Sequence, residues 1–187
     1  MRRAPRGLVI LVAVSVALAT MAVGASASAP VKAKPAAWAK TVCGSLGTWL
    51  EKIDAAAASA SATPPTTPTA GKKALVKLVG TALVATKKLT AGLKKAGPPA
   101  VKGGSEVAST LISQFNQTAR TFSAARTALK AVPTDGPGFV AASRGAQDAL
   151  ESGLEHVQAA FNAATTIDVA PLVAAFNAES TCQQLTA

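Results

Sequence analysis

Three sets of side chains in this sequence have the types and the spacing to do chemistry. Cys43 and Cys182 are the only two thiols, and Cys182 is the sixth residue counted back from Ala187. His156 is the only imidazole, with Glu155 beside it, Glu151 one turn before Glu155, and Asp148 a turn before Glu151. Residues 72–102 hold eight lysines, Lys72, Lys73, Lys77, Lys87, Lys88, Lys94, Lys95 and Lys102, and no acid. The first set offers a staple, a redox couple, a metal ligand pair or a nucleophile. The second offers acid–base work, and the third offers attraction for anions.

A redox pair usually stands as C-x-x-C, and zinc needs further Cys or His ligands, of which only His156 exists. An even cysteine count behind a secretory leader instead reads as a structural disulfide between Cys43 and Cys182. Such a bridge closes a loop of 140 residues and on the chain-entropy model contributes about 4–5 kcal/mol. Trp38, Leu46 and either Trp49 or Leu50 are expected to pack near it.

Nucleophilic catalysis needs a base beside a Ser or Cys. His156 lies in the helical stretch "ESGLEHVQAAF", where Asp148, Glu151 and Glu155 read as a solvated helix face. P-loop, G-x-S-x-G and metal-cluster patterns are all missing from the sequence, so neither enzymatic activity nor a cofactor is expected. Asn116 opens a formal glycosylation sequon in the middle of a helical pattern, where it carries no weight.

The leader is the stretch "MRRAPRGLVILVAVSVALATMAVGASA". Arg2, Arg3 and Arg6 precede an uncharged apolar run over residues 8–23, and Ala25-Ser26-Ala27 supplies an A-x-A cleavage pattern. The run is shorter than the roughly 20 residues that span a bilayer. A signal peptide over residues 1–27, cleaved after Ala27, and a secreted or extracytoplasmic domain over 28–187 are the expectation. Cleavage lowers the net charge from +10 to +7, with 16 basic residues against 9 acidic ones.

The elements that position these residues follow from apolar periodicity. Ala108, Leu111, Phe115, Thr118, Phe122, Ala125, Leu129 and Val132 keep a 3-4 spacing, with Ser105 as the N-cap and Pro133 as the stop. After "PTDGPG", Phe139, Ala146, Leu150, Val157, Phe161 and Ala164 repeat it. Trp38, Val42, Leu46, Leu50 and Ile53 mark a helix over residues 36–60, and another covers 72–96. A shorter one runs from 169 to 184, started by Asp168. Between the first two, residues 61–71 carry Pro64, Pro65 and Pro68 and read as a Pro-rich linker. "GPPAVKGGS" reads as a hinge. The fold class is therefore all-α: an antiparallel bundle of four long helices plus a shorter C-terminal one, closed by the disulfide.

"VCGSLGTWLEKI" and "ESTCQQL" together resemble a group of small secreted actinobacterial proteins with a Cys-containing helix followed by a tryptophan at one end and a second cysteine at the other. Cys43, Leu46, Trp49 and Cys182 carry the resemblance, which implies an extracellular helical domain and transfers no catalytic residue.

Charge is the remaining functional signal. At roughly 100° per residue, the seven lysines from 72 to 95 fall within an arc of about 160°, opposite Leu75, Leu78, Val79, Ala82, Leu89 and Leu93. Val76 and Val84 interrupt the basic face. Residues 131–187 are acidic, with six carboxylates against Arg144. Outside a cell, a lysine face meets anionic lipid headgroups, anionic wall polymers or released nucleic acid. Lysine without arginine favours diffuse attraction, and the lysines have no base-stacking aromatics between them, which argues against sequence-specific nucleic-acid binding. The expected function is a non-enzymatic, envelope-associated interaction domain that meets an anionic lipid or cell-wall polymer through Lys73, Lys77, Lys87, Lys88, Lys94 and Lys95. One alternative is a carrier with an apolar cavity among Phe115, Phe122, Leu150, Phe161 and Phe176. The other is an enzyme built on His156 with Glu151 and Glu155. No protein partner is indicated.

Overall fold

The computed structural model describes residues 32–62, 64–166 and 169–184, the side chains of 158 and 160–166 excepted. The expected leader over 1–27, together with Phe161, Ala164 and Asp168, lies outside the described side chains. The elements are α1 (Pro35–Ala62), α2 (Pro68–Ala96), α3 (Gly104–Ala131), α4 (Pro137–Thr166), α5 (Ala170–Ala178) and α6 (Ser180–Gln184). The protein is an all-α bundle in which each long helix packs on the next in sequence, while α5 and α6 fold back onto α1.

Helix ends depart from the expected positions for local reasons. The linker expected over 61–71 is shorter, because α1 continues to Ala62 and α2 begins at Pro68. Proline suits a first helical position, whose N–H has no intrahelical partner, and the Thr67 hydroxyl accepts the Ala70 N–H at 3.2 Å as the N-cap. Pro137 opens α4 in the same way. α3 starts at Gly104 behind Gly103 at φ 76°, so Ser105 lies inside the helix and is not its cap. The single terminal helix divides at Glu179, whose backbone is extended at φ −86° and ψ 116°. The Glu179 carboxylate accepts from the Thr181 hydroxyl at 2.5 Å, and its carbonyl accepts from the Cys182 N–H at 3.0 Å, which starts α6.

Two apolar clusters fill the bundle. One joins Trp38, Val42, Leu46 and Trp49 of α1 with Leu89 and Leu93 of α2, Leu111 and Phe115 of α3, and Leu172 of α5. The other joins Val79 and Ala82 of α2 with Phe122 and Leu129 of α3 and Ala146 and Ala149 of α4. α4 comes close to α3 at Gly153, where an added Cβ would lie 2.6 Å from the Phe122 ring. Buried polar atoms in the first cluster are paired. The Trp49 indole N–H donates to the Thr86 hydroxyl at 2.9 Å, and that hydroxyl donates to the Ala82 carbonyl at 2.8 Å.

The Cys43–Cys182 disulfide joins α1 to α6 across a Cα–Cα distance of 5.1 Å. Both cysteines are buried, with Trp38, Leu46 and Trp49 buried in the same part of α1 and Leu50 half-buried. Phe176 of α5 meets Trp38 edge-on at a centroid distance of 5.9 Å. Among the described residues, no helix is long and apolar enough to cross a membrane.

The segment expected to act as a hinge is pinned at both ends. Ala33 pairs with it through Ala33 N–H to Pro98 carbonyl at 3.0 Å and Ala100 N–H to Ala33 carbonyl at 2.7 Å. The Trp38 indole donates to the Gly97 carbonyl at 2.8 Å, with Gly97 at φ 67°. Gly104 lies so close that a Cβ there would come within 2.2 Å of the Pro99 carbonyl oxygen.

Candidate functional site

The side chains on the outer face of α2 place its lysines in three situations. Lys72 turns back to the end of α3, where its ammonium donates to the carbonyls of Lys130 and Val132. Those carbonyls lack intrahelical partners and carry the negative end of the helix dipole, so Lys72 is a C-terminal cap and not part of a free basic face. Lys87, Lys94 and Lys95 are exposed and stand outside the groove described next. Lys73, Lys77 and Lys88 line it.

The groove occupies about 980 Å³ between α1 and α2. On α2 its stripe is Lys73, Lys77, Gly80, Val84 and Lys88, steps of four, three, four and four that keep one helical face. α1 contributes Gly44, Ser45, Thr48, Trp49 and Lys52, and α3 contributes Arg126. Small residues make the depression: glycines at 44 and 80 leave no side chain where α1 and α2 diverge, and nothing lies within 4 Å of a Cβ built on Gly44. Val84 stays 53% exposed although its neighbours Leu83 and Ala85 are buried.

Register along the groove follows from three cross-helix contacts. Trp49 stands level with Thr86 through their hydrogen bond, and Ser45 level with Gly92, whose Cβ would meet the Ser45 hydroxyl at 3.4 Å. Arg126 stands level with Gly80, its Nε 3.1 Å from where a Cβ would be. Lys52, three residues beyond Trp49 on an antiparallel helix, therefore falls near the level of Leu83. The cations follow the groove in the order Lys73, Lys77, Arg126, Lys52, Lys88, about one per helical turn over about 22 Å.

Electrostatically the groove is one-sided. Among the described residues, five cations line it and no carboxylate does. The Arg126 Nε is buried with no hydrogen-bond partner, a condition that costs about 1–3 kcal/mol for a buried donor. An anion in the groove would offset the repulsion among the five like charges.

The other candidate groups are placed differently. Glu151 and Glu155 are exposed on α4, and His156 is half-buried with its Nδ1 unpaired. None of the three lines the groove. Among the described residues, no three His, Cys, Asp or Glu side chains could hold a metal ion. Phe115 and Phe122 are 1% exposed and belong to separate clusters, and Phe176 packs on Trp38, while the Phe161 side chain lies outside the described set.

Lys52 and Arg126 are the groove residues that helix-by-helix reading misses. Arg126 had a visible signal: it stands four after Phe122 and three before Leu129, in register with the apolar seam of α3, where an arginine has to point at another helix or lie over it. Comparison with known proteins adds no further constraint, because no family model, curated protein or solved structure matches the chain.

Proposed function

We propose that this protein is a secreted, non-enzymatic interaction domain of the cell envelope, which holds anionic surfaces or polymers in the α1–α2 groove. The observation that carries this reading is the acid-free row of Lys73, Lys77, Arg126, Lys52 and Lys88 beside an unpartnered buried Arg126 Nε. Exposed lysines scattered on a helix only confer solubility. Cations drawn from three helices into one depression concentrate their potential where field lines are focused by low-dielectric walls.

Export by a leader cleaved after Ala27 accords with the Cys43–Cys182 disulfide, which persists in oxidising compartments. The likeness of the N- and C-terminal cysteine segments to small secreted actinobacterial proteins points the same way. The test is a pull-down against isolated cell envelope at low and high salt. Retention at low salt and release at high salt support the reading; equal failure to bind under both conditions contradicts it.

A further inference from the structure

Charge alone does not account for the groove, because apolar side chains line it between the cations. Val76, Val84, Ala85 and Leu89 of α2 and Trp49 of α1 supply this lining, and Val84 is 53% exposed. A polyanion adhering to a flat lysine face has no use for such a lining. A long depression in which apolar side chains stand between cations matches an amphiphile.

We infer that the groove takes a single-chain lipid with an anionic phosphate head, its head at the Arg126 level and its acyl chain directed towards Leu89. This rests on the reading that the groove binds anions and specifies which anion. Three cations, Lys73, Lys77 and Arg126, gather in the stretch from residue 73 to the level of Gly80, and Arg126 alone offers a planar fork suited to two phosphate oxygens. From Gly80 to Leu89 the groove extends a further nine residues, about 13 Å, lined by Val84, Ala85, Leu89 and Trp49 together with the cations Lys52 and Lys88. The volume of about 980 Å³ admits one such chain with its head.

The experiment uses dodecyl phosphate below its micelle concentration as the probe, with the oxidised protein. Trp49 lines the groove and Trp38, the other tryptophan, does not, so emission from a Trp38→Phe variant comes from Trp49 alone. Dodecyl phosphate should bind saturably and shift that emission, with affinity falling about three- to fourfold for each methylene removed from the chain. Inorganic phosphate should bind far more weakly, and dodecyltrimethylammonium not at all.

Val84→Lys provides the decisive variant, because Val84 is 53% exposed and its replacement leaves the core untouched. It should weaken dodecyl phosphate by about tenfold, the loss of one valine-sized apolar contact. The same variant should hold anionic polymer at least as firmly as the parent, since it adds a charge. Chain-independent binding, equal binding of the cationic amphiphile, or an unchanged affinity in Val84→Lys each overturns the lipid assignment. If polymer retention persists in any of those cases, anion binding by the groove stands without it. Loss of polymer binding in the parent itself would remove both.

Discussion

Arg126 of α3 lies over Gly80 of α2, its Nε 3.1 Å from the position a Cβ would take and its Cδ and Cζ at 3.7 Å. The contact couples two properties that usually separate, helix propensity and ligand geometry. Gly80→Ala should raise helix stability by up to about 1 kcal/mol, because glycine is a poor helix former. It should also displace the guanidinium and lower affinity for anions. Thermal unfolding and an anion titration on the same variant check the pair of outcomes; a variant that binds as the parent does would separate Arg126 from the site.

The Trp49–Thr86 hydrogen bond at 2.9 Å holds α1 against α2 beside the groove. Thr86→Val leaves the indole N–H buried without an acceptor and should cost about 1–3 kcal/mol. Trp49→Phe in that background removes the orphaned donor, so the double variant should be more stable than the sum of the two single losses predicts. Urea midpoints of the four proteins give the coupling, and strict additivity would contradict it.

Reduction should destabilise the domain markedly. The Cys43–Cys182 bridge closes nearly the whole chain, a constraint of about 4–5 kcal/mol on the unfolded state in the chain-entropy model. At about 2–4 °C per kcal/mol for a chain of this size, the melting temperature should fall by roughly 10–15 °C with reductant or in a Cys43→Ser, Cys182→Ser variant. Coincident melting curves would show that packing of α5 and α6 suffices without the bond.

The Glu179 carboxyl is held below the usual carboxylate range, first by the Thr181 hydroxyl, then by the Thr181 backbone N–H and the charge of Lys40, with partial burial opposing them. A depressed folded pKa contributes stability that is present above the unfolded value and is lost as pH falls through the folded one. Acid should therefore loosen the start of α6, and Glu179→Gln should flatten the acid limb of the stability curve. Denaturant midpoints across the acidic range measure it, and identical acid limbs for variant and parent would refute it.

Much of this architecture was legible because it depends on local patterns. The 3-4 spacing from Ala108 to Leu129 gave α3, and the two cysteines gave the closure of the bundle, since neither requires knowledge of neighbours. What escaped sequence reading depends on approach between helices. Lys72 belonged to the basic face by its angle on α2, yet the proximity of the α3 C-terminus turns it into a cap. "GPPAVKGGS" contains hinge-type residues, yet a single extended residue, Ala33, pairs with it and immobilises it. Lys52 and Arg126 join Lys73, Lys77 and Lys88 only through the register of three helices, which no single helical wheel contains. Pro68 reads as a breaker because its tolerated place at a first helical turn looks the same in sequence as a place in a linker.

If the groove holds anions, lysine charge elsewhere on α2 should contribute little. Two variants each remove three charges from α2: Lys73, Lys77 and Lys88→Gln inside the groove, and Lys87, Lys94 and Lys95→Gln outside it. Glutamine preserves helix propensity, so both should fold as the parent does. Retention on anionic vesicles is measured across a salt series for all three proteins. The groove variant should wash off at clearly lower salt than the parent, and the outer variant should stay close to the parent. Equal loss in the two variants, or equal retention of all three, would contradict the account.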